Sequence, residues 1–70
     1  MNADNRIGLR IAQFRLEKNM TRKELSDSAG VSHRQIIRIE SGETKNPSSD
    51  TLNRLATTLG VSLDAIMRSR

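Results

Sequence analysis

The chain has 70 residues, no cysteine, tyrosine or tryptophan, one histidine, and a formal net charge of +4. This length holds one small domain, which buries only about 60% of its unfolded surface, and the composition excludes a disulfide framework or a cysteine-ligated metal site. No run approaches the roughly 18 apolar residues of a membrane span and no signal-peptide pattern opens the chain, so a cytoplasmic protein is expected, and its basic balance suits a polyanionic partner.

Met1 to Arg6 is polar and reads as a frayed start, with Asp4 or Asn5 as a cap for the first helix. That helix is predicted to run to about Lys18. Ile7, Ile11 and Phe14 form its inner stripe. Leu9 and Leu16 lie about 180° round the helix. They read either as scattered surface residues or as a small patch for a partner chain or a missing domain. Asn19 tolerates the left-handed conformation and ends the helix; Met20 then enters the core.

Thr21-Arg22-Lys23-Glu24 is a T-x-x-E capping box and opens a second helix. Gly30 ends it, because glycine adopts the left-handed conformation of a helix stop. Ser32-His33-Arg34-Gln35 follows at once as an S-x-x-Q box. Two short helices joined by so sharp a turn make a helix-turn-helix, whose second helix commonly enters a DNA major groove. Leu25 and Ala29 share one face of the second helix, Val31 sits in the turn, and Ile36 and Ile39 pack back from the third. At about 100° per residue, Arg34, Arg38 and Ser41 point the other way, with His33 at the N-terminal end of that face.

Gly42 closes the third helix, a recognition helix over about 33–40. The loop Glu43-Thr44-Lys45-Asn46-Pro47 follows. Its Thr44, Lys45 and Asn46, with Ser41, suit phosphate, or the segment is an ordinary solvated loop. Ser48 caps a fourth helix with Asp50 in its first turn. Leu52, Leu55, Ala56 and Leu59 form its core stripe, and Gly60 stops it. Ser62 caps a last short helix carrying Leu63, Ile66 and Met67. The basic end is Arg68-Ser69-Arg70. The expected fold is all-α: five helices around one core, a single domain over 1–70 with an ordered core of about 6–67.

Catalysis has little to stand on. His33 is the only imidazole, no carboxylate pair has a recognisable spacing, Ser32 and Ser62 read as caps, and no glycine loop suits a phosphate. No enzyme, cofactor, metal site or small-molecule ligand is expected.

The chain resembles the phage-repressor and Cro class of helix-turn-helix proteins, the XRE-type DNA-binding domain. The matching residues are Ile11, Phe14, Arg15, Thr21, Glu24-Leu25, Ala29-Gly30-Val31-Ser32, Ile36, Ile39-Glu40, Gly42, Pro47-Ser48, Thr51-Leu52, Leu55-Ala56 and Leu59-Gly60-Val61-Ser62. They run through nearly the whole chain in the family's order. Two positions depart from it: Arg22 stands where the family often has Gln, and Ser26 where it often has Ala, at the approach of the second and third helices.

The resemblance implies a compact lambda-repressor-like domain with a structural ion pair between Arg15 and Glu40. It adds weight to contacts of Lys45 and Asn46 with the DNA backbone. The function expected is sequence-specific binding of double-stranded DNA as a transcriptional regulator. Arg34 and Arg38 are the foremost base-contacting candidates, since a guanidinium can donate twice to guanine O6 and N7. His33 and Gln35 are further ones. Ile37 either touches a thymine methyl or belongs to the core margin. Phosphate contacts are expected from Arg22, Ser32, Ser41, Thr44, Lys45 and Asn46. RNA is disfavoured, because single-strand readers use stacking aromatics and Phe14 is assigned to the core. A homodimer on DNA is expected, with Leu63, Ile66 and Met67 as its candidate surface, although at least one of the three must be core. The alternative is a helical protein-interaction module, such as an antitoxin or a regulator's assembly domain.

Overall fold

Five helices follow the predicted order in the computed structural model, which describes residues 6–67. They are α1 (Arg6–Glu17), α2 (Arg22–Ala29), α3 (His33–Ser41), α4 (Ser49–Leu59) and α5 (Leu63–Met67). The proposed caps Asp4 and Asn5 and the basic end 68–70 lie outside the described residues.

Apolar spacing explains how the helices assemble. The side chains of Ile11, Leu25, Ile36, Ile39, Leu55, Leu59 and Ile66 are fully buried. Each such burial contributes about 1.5–3 kcal/mol, set against the entropy of ordering the chain. Ile7, Phe14, Met20, Val61 and Leu63 pack around this cluster from partly buried positions. α3 rests on α1 and α2, α4 backs α2, and α5 closes the far side against α1 and α4.

The turns form where the chain chemistry allows them. Asn19 has φ 57° and ends α1 in the left-handed conformation. The α2 capping box is complete: Thr21 Oγ1 accepts from the Glu24 N–H at 3.0 Å, and the Thr21 N–H donates to Glu24 Oε1 at 2.8 Å. Gly30, at φ 70°, lets the N–H groups of Gly30 and Val31 both return to the Ser26 carbonyl, at 3.0 and 3.3 Å. Ser26 adds a second tie, since its buried hydroxyl donates to the Val31 carbonyl at 2.6 Å. The hydroxyl that departs from the family's Ala therefore clamps the turn rather than obstructing it.

Two expectations need correction. The second capping box is only half formed. Ser32 Oγ accepts from the Gln35 N–H at 3.1 Å, but the Gln35 amide does not return the bond. It reaches across to α4 instead and donates to Thr51 Oγ1 at 3.3 Å. The other concerns the candidate dimer surface. Ile66 is fully buried in the core, Leu63 is half-buried against it, and only Met67, 50% exposed, projects from α5. α5 has to spend Ile66 on closing the core, so Ile66 offers nothing to a second chain.

Candidate nucleic-acid interface

The site begins with α3, whose two faces differ sharply. Ile36, Ile39 and Glu40 are buried, whereas His33, Arg34, Ile37, Arg38 and Ser41 are exposed. Both ends of the helix are fixed. Ser32 caps the N-terminus, and Gly42 takes the left-handed conformation at the C-terminus with its N–H on the Ile39 carbonyl. Packing on α1 and α2 therefore holds the apolar face while the polar face stands clear.

Ser32, Arg34, Gln35, Arg38 and Thr44 line one shallow depression of about 320 Å³ along this face. Residues predicted separately from the cap, the helix and the loop thus meet in one place. The Thr44 N–H donates to the Arg38 carbonyl at 3.0 Å, which folds the loop over the last turn of α3. Arg34 has no ion-pair partner among the described residues, and Arg38 has only a loose one, Glu43, at 3.6 Å. Lys45 and Asn46 are exposed in the loop beyond. Ile37 is 44% exposed and sits on the open side rather than in the core.

Behind this face lies an ion cluster. Arg15 donates through Nε to Glu40 Oε2 at 2.8 Å and through Nη2 to Oε1 at 3.2 Å, and its Nη1 reaches the Met20 carbonyl at 2.7 Å. Both side chains are under a tenth exposed. The pair implied by the resemblance is therefore present and bidentate. Arg22 joins it: its Nε donates to Glu40 Oε1 at 2.8 Å, while half of its side chain remains in solvent. One carboxylate on α3 thus holds α1 and α2 together.

Sequence reasoning missed three partners here: Arg22 for Glu40, Thr51 for Gln35, and Glu43 for Arg38. The first two pairs join residues on different helices, where no periodicity links them. Glu43 lies five residues after Arg38, off the helical i, i+3 and i, i+4 spacings. Two further exposed cations, Lys23 and Arg54, are paired on their own helices, with Asp27 and Asp50 at 3.3 and 2.9 Å.

A family model described as "Helix-turn-helix" matches residues 11–66. The HTH-type transcriptional regulator SinR of Bacillus licheniformis is 34% identical over 64 residues, covering 91% of this chain and 58% of that protein. The chain spans a little over half the length of the curated relatives it matches. Among solved structures, a chain of the SinR protein/SinI protein complex superposes with a TM-score of 0.87 at 35% identity, covering 89% of this chain and 60% of that one. The restriction-modification controller protein C.AhdI from Aeromonas hydrophila gives a TM-score of 0.86 at 22% identity, over 91% of this chain and 96% of that one, and speaks for the fold alone.

Proposed function

Since the chain belongs to the XRE-type helix-turn-helix family, we propose that it binds double-stranded DNA sequence-specifically as a transcriptional regulator, with α3 in the major groove. The observation that carries this reading is the exposed ridge of Arg34 and Arg38 on a helix whose opposite face is locked into the core. Guanidinium groups at that spacing suit bidentate donation to guanine O6 and N7. His33 extends the base-reading surface, and Gln35, whose amide already donates to Thr51 Oγ1, would add to it through its remaining amide hydrogen and its oxygen. Ser32, Thr44, Lys45 and Asn46 flank it as phosphate donors, which set register without reading sequence; Arg22 would join them through the guanidinium nitrogens that Glu40 does not take, and Ser41 only by turning its hydroxyl from the Arg38 carbonyl. Binding to DNA as a regulator would place it in the cytoplasm, as for the bacterial regulators it resembles.

We also propose a homodimer on DNA. Its contact would come from Met67 and the exposed part of Leu63, which is little apolar surface, so pairing would depend on the duplex. A second reading, binding of a protein partner, is favoured by Leu9 and Leu16 on α1, 50% and 61% exposed. The relative SinR is itself found in a complex with SinI, although this chain covers only 60% of that SinR chain.

A salt titration tests the DNA reading. Binding to a duplex pool should weaken linearly in log–log form, with a slope near −0.9 for each phosphate neutralised. Affinity that is flat between about 50 and 200 mM salt would refute phosphate-driven binding.

A further inference from the structure

We propose that Glu43 determines specificity: its carboxylate draws the Arg38 guanidinium by charge from the Nε side, without a hydrogen bond, which biases the group toward a base and away from phosphates. The inference rests on α3 being the base-reading helix. Arg38 Nε lies 3.6 Å from Glu43 Oε2, with the side chains 49% and 65% exposed. A hydrogen-bonded turn seats the carboxylate there. The Gly42 N–H donates to the Ile39 carbonyl at 3.2 Å and the Thr44 N–H to the Arg38 carbonyl at 3.0 Å. Ser41 Oγ donates to the same Arg38 carbonyl at 3.1 Å and accepts from the Glu43 N–H at 3.3 Å.

An acidic side chain beside a phosphate-binding surface repels every duplex, whatever its sequence. Repulsion alone would lower specific and non-specific binding by the same factor. The contact with Arg38 makes the effect unequal. On a non-specific duplex, the Glu43 charge competes with the nearest phosphate for the Arg38 guanidinium. On the preferred site, Arg38 donates to guanine through its terminal nitrogens. Charge attraction on the Nε side leaves those terminal nitrogens unoccupied and biases the guanidinium toward that geometry, which offsets part of the repulsion. The two classes of duplex are thereby driven apart.

The test uses Glu43→Gln, which keeps the side-chain shape and removes the charge. Fluorescence anisotropy compares a duplex selected by the wild-type protein with a scrambled duplex of equal length and composition. The substitution is expected to raise affinity for the scrambled duplex about fivefold and to move affinity for the selected duplex by less than about twofold. In an Arg38→Ala background it should raise both affinities by one common factor, because the coupling runs through Arg38. An equal change on both duplexes in the wild-type background, or a loss of discrimination that persists without Arg38, overturns the proposal. Wild-type protein that prefers no duplex overturns the reading of α3 as well, and this first measurement separates the two failures.

Discussion

Removing the Glu40 carboxylate deprives two guanidinium groups of their acceptor at once. Arg15 is then left charged at 8% side-chain exposure, with its hydrogen bond to the Met20 carbonyl, whereas Arg22 at 50% exposure turns to water. Breaking a buried pair in this way costs about 3–5 kcal/mol. At roughly 4–8 °C per kcal/mol for a domain of this size, Glu40→Ala should lower the melting temperature by more than about 12 °C. A melting temperature equal to wild type would show that the cluster carries no stability. Arg34→Ala acts elsewhere. It should leave the fold intact, cost about 1–3 kcal/mol on the preferred site, and relax base choice at one position. Lys45→Ala should instead weaken all duplexes alike, which competition with mismatched sites measures. Arg34 and Arg38 were legible in the sequence because helical spacing alone sets them opposite Ile36 and Ile39. Arg22 on Glu40 was not, because that contact exists only once α2 and α3 have docked.

The junction of α2 and α3 is held by Ser26 as much as by Gly30. Ser26 accepts two backbone N–H groups on its carbonyl and donates its hydroxyl to Val31. Ser26→Ala would restore the residue common in the family, yet it would strip a buried acceptor of its partner. A loss of about 1–3 kcal/mol is expected in chemical denaturation. Unchanged or increased stability would mean that the hydroxyl is only tolerated there. Gly30 has less freedom to change, because a side chain at φ 70° is strained and its Cβ would stand 3.2 Å from Arg54 Nη1. At this scale the sequence was most readable. Caps and stops at Thr21, Gly30, Ser32, Gly42, Ser48 and Gly60 are local chemistry, and each lies where its side chain or its missing Cβ required. What failed was the second capping box, since Gln35 chose an acceptor on α4, which no local pattern encodes. Ile66 failed as a surface residue for a related reason: a five-residue helix shows its inner face only when the core it closes is known.

At the scale of the whole molecule, one α3 covers only a few base pairs, which is too little discrimination within a genome. Two copies related by a two-fold axis would set half-sites about 10 base pairs, or roughly 34 Å, apart. A Cα envelope of 29 × 22 × 22 Å, widened by side chains, fits beside its own copy at that spacing. Analytical ultracentrifugation should therefore find two protomers on each saturated duplex. One protomer on a site without internal symmetry would rule out the dimer. Base reading by Arg34 and Arg38 on α3 is tested most directly by selecting bound duplexes from a random pool. Wild-type protein is expected to enrich a site with guanine at fixed positions. The Arg34→Ala/Arg38→Ala double variant, folded at the wild-type melting temperature, should lose that enrichment. Recovery of the same site by the double variant, or of no site by the wild type, would contradict it.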